Sequence, residues 1–120
     1  MSGLVEYSAD ARSKTMGANF RVRAWVHFNG TGTVAIKKSG NVSSITDLGT
    51  GLYQVNFTSN MPDADYTAVI GGEINNSNND VRRNNRVWNW NESYVKVVTG
   101  FNGNSDSKED YTHVSVAVIR

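Results

Sequence analysis

The stretch from residue 20 to residue 28 alternates strictly between apolar side chains and side chains that are polar or large. One parity carries Phe20, Val22, Ala24, Val26 and Phe28. The other parity carries Arg21, Arg23, Trp25 and His27. Successive side chains of a β-strand point to opposite faces, so this pattern predicts a strand that buries one face and exposes the other.

Short runs of the same kind follow, and turn residues separate them. The turn signals are NGTG at 29–32, KSGN at 38–41, DLGTG at 47–51 and the loop around Pro62. They delimit strands predicted at 20–28, 33–37, 42–46, 53–57, 66–70, 86–90, 94–98 and 112–119. About eight short strands favour an antiparallel sandwich or barrel, and we expect an all-β antiparallel sandwich. Its predicted inward residues are Val22, Val26, Phe28, Val55, Phe57, Val114, Val116 and Val118.

The length of 120 residues suits one domain with a single core. Residues 1–19 lack the alternation and are predicted to be a lead-in or neck segment. Within them, Ser8 is a candidate N-cap and Gly17 a candidate stop, so a short helix and an irregular segment both remain open. Residues 20–120 are predicted to form the sandwich domain.

Composition excludes several classes of function. A net charge of +1 argues against charge-driven nucleic-acid binding, which needs a concentrated basic surface. No apolar run approaches the roughly 20 residues of a membrane helix, and no signal peptide is recognisable, so we expect no membrane insertion. The absence of cysteine excludes disulfides and thiol chemistry.

Catalytic patterns are also missing. The chain has two histidines, His27 and His113, and no G-x-S-x-G sequence, and its acidic residues cluster in predicted turns. We therefore expect no enzyme activity, no catalytic residue, no cofactor and no metal site. The alternative for the histidines is an ion held by three copies of one histidine on the axis of a symmetric oligomer.

The segment from residue 74 to residue 93 is rich in asparagine, with eight of the fifteen asparagines of the chain, three arginines and two tryptophans. A solvated or disordered loop is one interpretation, and a binding loop is the other. Amides and guanidinium groups suit sugar hydroxyls and anionic groups, and exposed tryptophans suit stacking. The two tryptophans share one parity and could instead fill the core. The candidate receptor-binding residues are Asn75, Asn78, Arg82, Arg83, Arg86, Trp88 and Trp90.

Trp25 occupies the polar parity of the first strand, together with His27. A large aromatic side chain on an exposed face generally marks an interaction site. Trp25 either binds a ligand or is covered by another copy of the chain, and we favour a subunit interface that contains Trp25 and His27.

Four motifs resemble the C-terminal domain of bacteriophage tail fibre proteins, a domain frequent in phages of marine bacteria and cyanobacteria. They are RAWVHFNGTGTVAI, GNVSSITDLGTG, YQVNFTSNMPDADY and the closing VSVAVIR. The resemblance is dense over residues 21–71 and looser in the final strand. His27 stands where the family commonly has Asn, and Lys37-Lys38 occupy a variable pair of positions. Residues 72–93 resemble nothing in the family, as expected of a tip that differs between phages.

The resemblance implies a homotrimeric tip of a tail fibre in the virion, which attaches to a bacterial surface glycan or outer-membrane receptor. We expect the binding surface in the loop at 75–86, helped by the loop at 102–110. Three alternatives remain open: a carbohydrate-binding or lectin-like module, a capsule depolymerase, and a purely structural trimerisation cap of the fibre.

Overall fold

The computed structural model describes residues 21–74, 83–102 and 106–120, and these residues form nine β-strands. The predicted lead-in at 1–19 lies outside the described residues. The strands are β1 Val22–Asn29, β2 Ala35–Gly40, β3 Val42–Gly49, β4 Leu52–Phe57, β5 Thr67–Glu73, β6 Arg83–Trp90, β7 Tyr94–Asn102, β8 Asp106–Lys108 and β9 His113–Ile119. No helix in these three ranges is long and apolar enough to cross a membrane.

The strands pair antiparallel in two sheets. The first sheet has the order β2-β1-β9-β5, and the second has the order β3-β4-β7-β6 with β8 paired to β7. The predicted all-β antiparallel sandwich is confirmed. The short strand β8 was not predicted, because its residues, Asp106–Lys108, were assigned to a loop.

The core lies between the inward faces of the two sheets. Seven of the eight residues predicted to point inward are buried: Val26, Phe28, Val55, Phe57, Val114, Val116 and Val118. The ring of Phe28 meets that of Tyr53 edge-on across the two sheets, with 5.2 Å between the ring centroids. Burial of each such side chain contributes roughly 1.5–3 kcal/mol, so this double layer of apolar residues stabilises the sandwich.

Val22 is the inward prediction that is wrong, because its side chain is 55% exposed. The cause is a β-bulge between Val22 and Ala24: Val22 pairs with Ile119 while Ala24 pairs with Val118. β1 therefore has one extra residue relative to β9 over this stretch, and the side chain of Val22 points to the opposite face from the one that the alternation predicts. It joins Ile119 on the outer side of the first sheet.

Asn41 is where the chain passes from the first sheet to the second. It adopts a positive φ of 55°, which asparagine tolerates better than most residues. Its side-chain amide donates to the carbonyl oxygens of Arg23 (3.0 Å) and Ser59 (3.1 Å) and accepts from the backbone N–H of Ser59 (2.7 Å). The predicted KSGN turn is therefore reduced to this residue, because β2 continues through Gly40.

A buried polar cluster closes one end of the sandwich. Oδ1 of Asp110 lies 2.8 Å from the Tyr53 hydroxyl and 2.8 Å from the backbone N–H of Gly51, both of which donate to it. The Tyr53 oxygen is also 2.9 Å from the carbonyl oxygen of Gly30. Burial, followed by the hydrogen bond to Asp110, raises the pKa of Tyr53 well above its usual value. The phenol therefore stays protonated, and it connects the β1–β2 turn to the segment before β9.

Candidate functional site

Only some of the receptor-binding residues predicted from the asparagine-rich segment lie in the part of the chain that the structure describes. Asn75, Asn78 and Arg82 lie outside the described residues. Arg83 is the first residue of β6, and Arg86, further along β6, is exposed.

The two tryptophans of β6 do not share a face, although their spacing predicts that they do. Asn89 between them has a positive φ of 57°, and the register of β6 against β7 shifts at this point. Trp88 pairs with Lys96, whereas Trp90 pairs with Val95, which is buried in the core. Trp88 therefore points to the outer face of the second sheet. Trp90, at the end of β6, is on the inner face, which faces the core. Both indoles remain partly exposed, Trp88 at 37% and Trp90 at 42%.

The outer face of the second sheet around Trp88, called here the Trp88 face, places a lysine between two aromatic rings. Nζ of Lys96 lies 5.2 Å from the centroid of the Trp88 ring and 5.6 Å from that of Tyr94. Both distances are within the range of a cation–π interaction. These contacts hold a positive charge close to an exposed indole.

A row of amide and hydroxyl groups continues the Trp88 face onto β4 and β3. Nε2 of Gln54 donates to Oδ1 of Asn56 at 2.8 Å. Nδ2 of Asn56 in turn donates to the hydroxyl oxygens of Ser44 (3.1 Å) and Thr46 (2.9 Å). Their O–H hydrogens remain able to donate to a ligand, because both hydroxyls act here as acceptors.

Sequence reasoning missed four residues of the Trp88 face, namely Tyr94 and Lys96 on β7 and Gln54 and Asn56 on β4. A signal for two of them existed. Tyr94 and Lys96 alternate with Val95 and Val97, so the pattern predicts that they point outward. The connection between the strand of Trp88 and the next strand is also short, which predicts a hairpin in which Tyr94 and Lys96 lie on the strand next to the tryptophans.

The outer face of the first sheet, called here the Trp25 face, carries the predicted interface residues. Trp25 is 43% exposed, as its parity predicts, and its indole lies against Gly40 of the neighbouring strand. An open groove of about 410 Å³ runs from Trp25 across β9 to β5. Its outward-facing lining residues are Trp25, His27, Val69, Gly71, Ser115 and Ala117.

The Trp25 face carries several exposed apolar side chains next to one another. Trp25, Ala117 and Val69 stand side by side on β1, β9 and β5. Val69 is half exposed, and the bulge adds Val22 beside Ile119 on the same face. Contiguous exposed apolar surface of this kind marks an interaction site.

The two histidines meet at the edge of the Trp25 face. Nε2 of His27 lies 3.2 Å from Nδ1 of His113, and Nζ of Lys37 lies 3.2 Å from the same Nδ1 atom. A lysine ammonium can only donate, so Nδ1 of His113 is the acceptor in this group. Among the residues that the structure describes, no three histidine or carboxylate side chains come together as metal ligands.

No protein-family model, curated protein or solved structure matches this chain. The resemblance to phage tail fibres therefore stays a prediction that rests on the four sequence motifs.

Proposed function

We propose that this chain is the distal domain of a bacteriophage tail fibre, which assembles as a homotrimer and attaches the virion to a bacterial surface glycan or outer-membrane receptor. The observation that carries the proposal is the Trp25 face. In a monomer, Val69, Val22 and the outer part of the Trp25 ring stay exposed to water, whereas a subunit interface buries them.

The sandwich geometry supports association through this face. Val22 and Val69 are each about half exposed, so burying the exposed half contributes on the order of 1 kcal/mol per side chain, and small residues such as Ala117 and Gly71 let a second surface come close. His27 and His113 lie at the edge of the same face, where they would be near a neighbouring subunit. In a closed three-fold ring each subunit contacts its neighbours through two different parts of its surface, and no open end is left.

Host recognition is assigned to the asparagine- and arginine-rich segment. Arg82, Arg83 and Arg86 supply guanidinium groups for carboxylate or phosphate groups of the host surface, and the asparagines supply amides for sugar hydroxyls. Three copies on one fibre would raise the strength of attachment by roughly 10² or more where all three engage at once. The proposed partner is thus an extended, repetitive surface rather than a small molecule.

The test is adsorption of the fluorescently labelled full chain to a panel of candidate bacteria. A variant with Arg82, Arg83 and Arg86 all replaced by Ser should keep its trimeric mass and lose adsorption. Adsorption to no bacterium of the panel would count against the attachment function, and undiminished adsorption of a trimeric variant would remove the site from these arginines.

A carbohydrate-binding module that acts as a monomer is the second candidate. It is favoured by the Trp88 face, where an exposed indole stands next to Lys96 and an amide row. Oligomeric state separates the two candidates, because a module needs no partner on the Trp25 face. A monomeric mass at micromolar concentration would favour the module.

A further inference from the structure

We infer that the Trp88 face is a binding site for an acidic glycan, a chain of sugars that carries carboxylate or sulfate groups. This inference deepens the proposed function and rests on it for the source of the glycan. It places a second contact surface on the rigid sheet, separate from the segment at 75–82.

The aromatic part of the site is Trp88 with Tyr94. A sugar ring has an apolar face of C–H groups, and an indole that is flat, rigid and partly exposed offers the matching surface. Tyr94 lies close to the same lysine and presents an amphipathic ring at low entropic cost. An indole on a β-strand is also held more firmly than one on a loop.

The charge of the site is positive. Lys96 lies over the indole, and Arg86, two residues before Trp88 in β6, points to the same face and is exposed. The outward positions of β4 and β7 carry no carboxylate, and Glu92 lies in the connection between β6 and β7. A glycan acid group would meet two cations here without an acidic neighbour on the central strands, which is the charge complementarity that favours an anionic ligand.

The polar row fixes the direction in which the ligand lies. The strand register places four residues side by side across the sheet, in the order Thr46, Gln54, Lys96 and Trp88. Adjacent strands are about 4.8 Å apart, so the row is about 14 Å long, which suits a short oligosaccharide laid across the strands. The hydrogen bonds from Gln54 to Asn56 and from Asn56 to Thr46 hold the amides in place before a ligand arrives. Such preorganisation lowers the entropic cost of binding.

These contacts give each group a role. The apolar face of one sugar packs on Trp88, its acid group pairs with Lys96, and hydroxyls of the next sugars bond to the amide and hydroxyl row. Lys96 leaves the indole as it pairs with the ligand, so the emission of Trp88 should change on binding.

The test is an array of acidic and neutral glycans probed with the labelled full chain, followed by calorimetric titration with the acidic oligosaccharide that binds best. Lys96→Gln and Trp88→Ala should each weaken binding by about tenfold or more, the effect of losing one charge-assisted hydrogen bond or one stacked ring. Arg21→Gln is the matched control, because it removes the same charge from an exposed position outside the Trp88 face and should leave affinity unchanged.

The outcomes separate this inference from the proposed function. Binding to no acidic glycan of the array, or equal binding by wild type, Lys96→Gln and a folded Trp88→Ala variant, overturns the acidic-glycan site. Glycan binding that is unchanged by both substitutions, together with adsorption that is lost on replacing Arg82 and Arg83 while Arg86 is kept, also overturns it, while attachment stands. Lysine-dependent binding to an acidic glycan by a chain that adsorbs to no bacterium would support the site and remove the attachment function.

Discussion

The indole of Trp25 lies directly against the backbone of Gly40, its cross-strand partner on β2. A Cβ atom built on Gly40 would collide with Nε1 of Trp25 and come within 2.9 Å of its Cδ1. The absence of a side chain at Gly40 therefore lets the ring cover the edge strand, an arrangement in which an aromatic residue protects a strand glycine. This packing gives Trp25 a structural reason to occupy an otherwise polar parity, and it leaves the outer part of the ring exposed.

The first prediction concerns this contact. Gly40→Ala should displace the Trp25 indole and lower the free energy of unfolding by about 1 kcal/mol, because the new methyl group overpacks the site. Tryptophan emission and urea unfolding measure the two effects. Gly71→Ala is the control, with both variants measured at a concentration where the chain is monomeric, since a Cβ at Gly71 meets nothing within 4 Å in its own chain and should leave both unchanged. Identical emission from Gly40→Ala and wild type would contradict the contact.

The second prediction concerns the assembly. Val69→Asp places a charge in the middle of the Trp25 face, and a buried unpaired carboxylate is too costly for an interface to keep. The variant should therefore be monomeric by light scattering at concentrations where wild type is trimeric. Leu48→Asp is the matched control, because Leu48 is similarly exposed but lies on β3 of the other sheet. Dissociation by Leu48→Asp alone would place the interface on the second sheet.

The sequence predicts this fold well wherever the period of two is unbroken. Val26, Phe28 and the valines of β9 lie in the core because nothing interrupts their alternation. The two errors about which face a side chain occupies fall at β-bulges, one after Val22 and one at Asn89, where an inserted residue reverses the parity. Bulges depend on the register of the partner strand, so a pattern read along a single strand cannot reveal them.

The site was harder to predict than the core, for a similar reason. The exposure of Trp25 follows from its own strand. The group around Trp88 depends on which strands become neighbours, because Gln54 reaches Lys96 only through the pairing of β4 with β7. Such long-range pairing is decided by tertiary packing, which local composition does not contain.

The third prediction concerns the buried cluster at the end of the sandwich. Tyr53→Phe removes the phenol that donates to Asp110 and leaves a part-buried carboxylate with one partner fewer. The free energy of unfolding should fall by about 1–3 kcal/mol, the cost of an unsatisfied polar group. Tyr94→Phe is the control, since the Tyr94 ring lies near Lys96 on the outer face of the second sheet, away from this cluster. Equal stability of the two variants in urea would show that the bond to Asp110 contributes nothing.

An ion pair joins the loop after β4 to the last residue of the described chain. The guanidinium of Arg120 donates to both carboxylate oxygens of Asp63, with Nε at 3.2 Å from Oδ1, and the backbone N–H of Asp65 donates to Oδ1 as well. The Arg120 hydrogen bonds, and after them the bond from Asp65, lower the pKa of Asp63 below its usual value of 3.8.

The last prediction follows from the direction of that shift. Because the pKa of Asp63 is lower in the folded state than in the unfolded state, its ionised form stabilises the fold above pH 3.8, and this contribution disappears as the pH falls through the folded-state pKa. Wild type should therefore be more stable than Asp63→Asn at pH 6, and the difference should shrink below about pH 4. The pair is exposed to solvent, so 0.5 M salt should reduce the difference at pH 6 through screening. Urea unfolding of both proteins across this pH range measures the effect, and a difference that stays constant with pH and salt would mean that Asp63 acts through its shape and not through its charge.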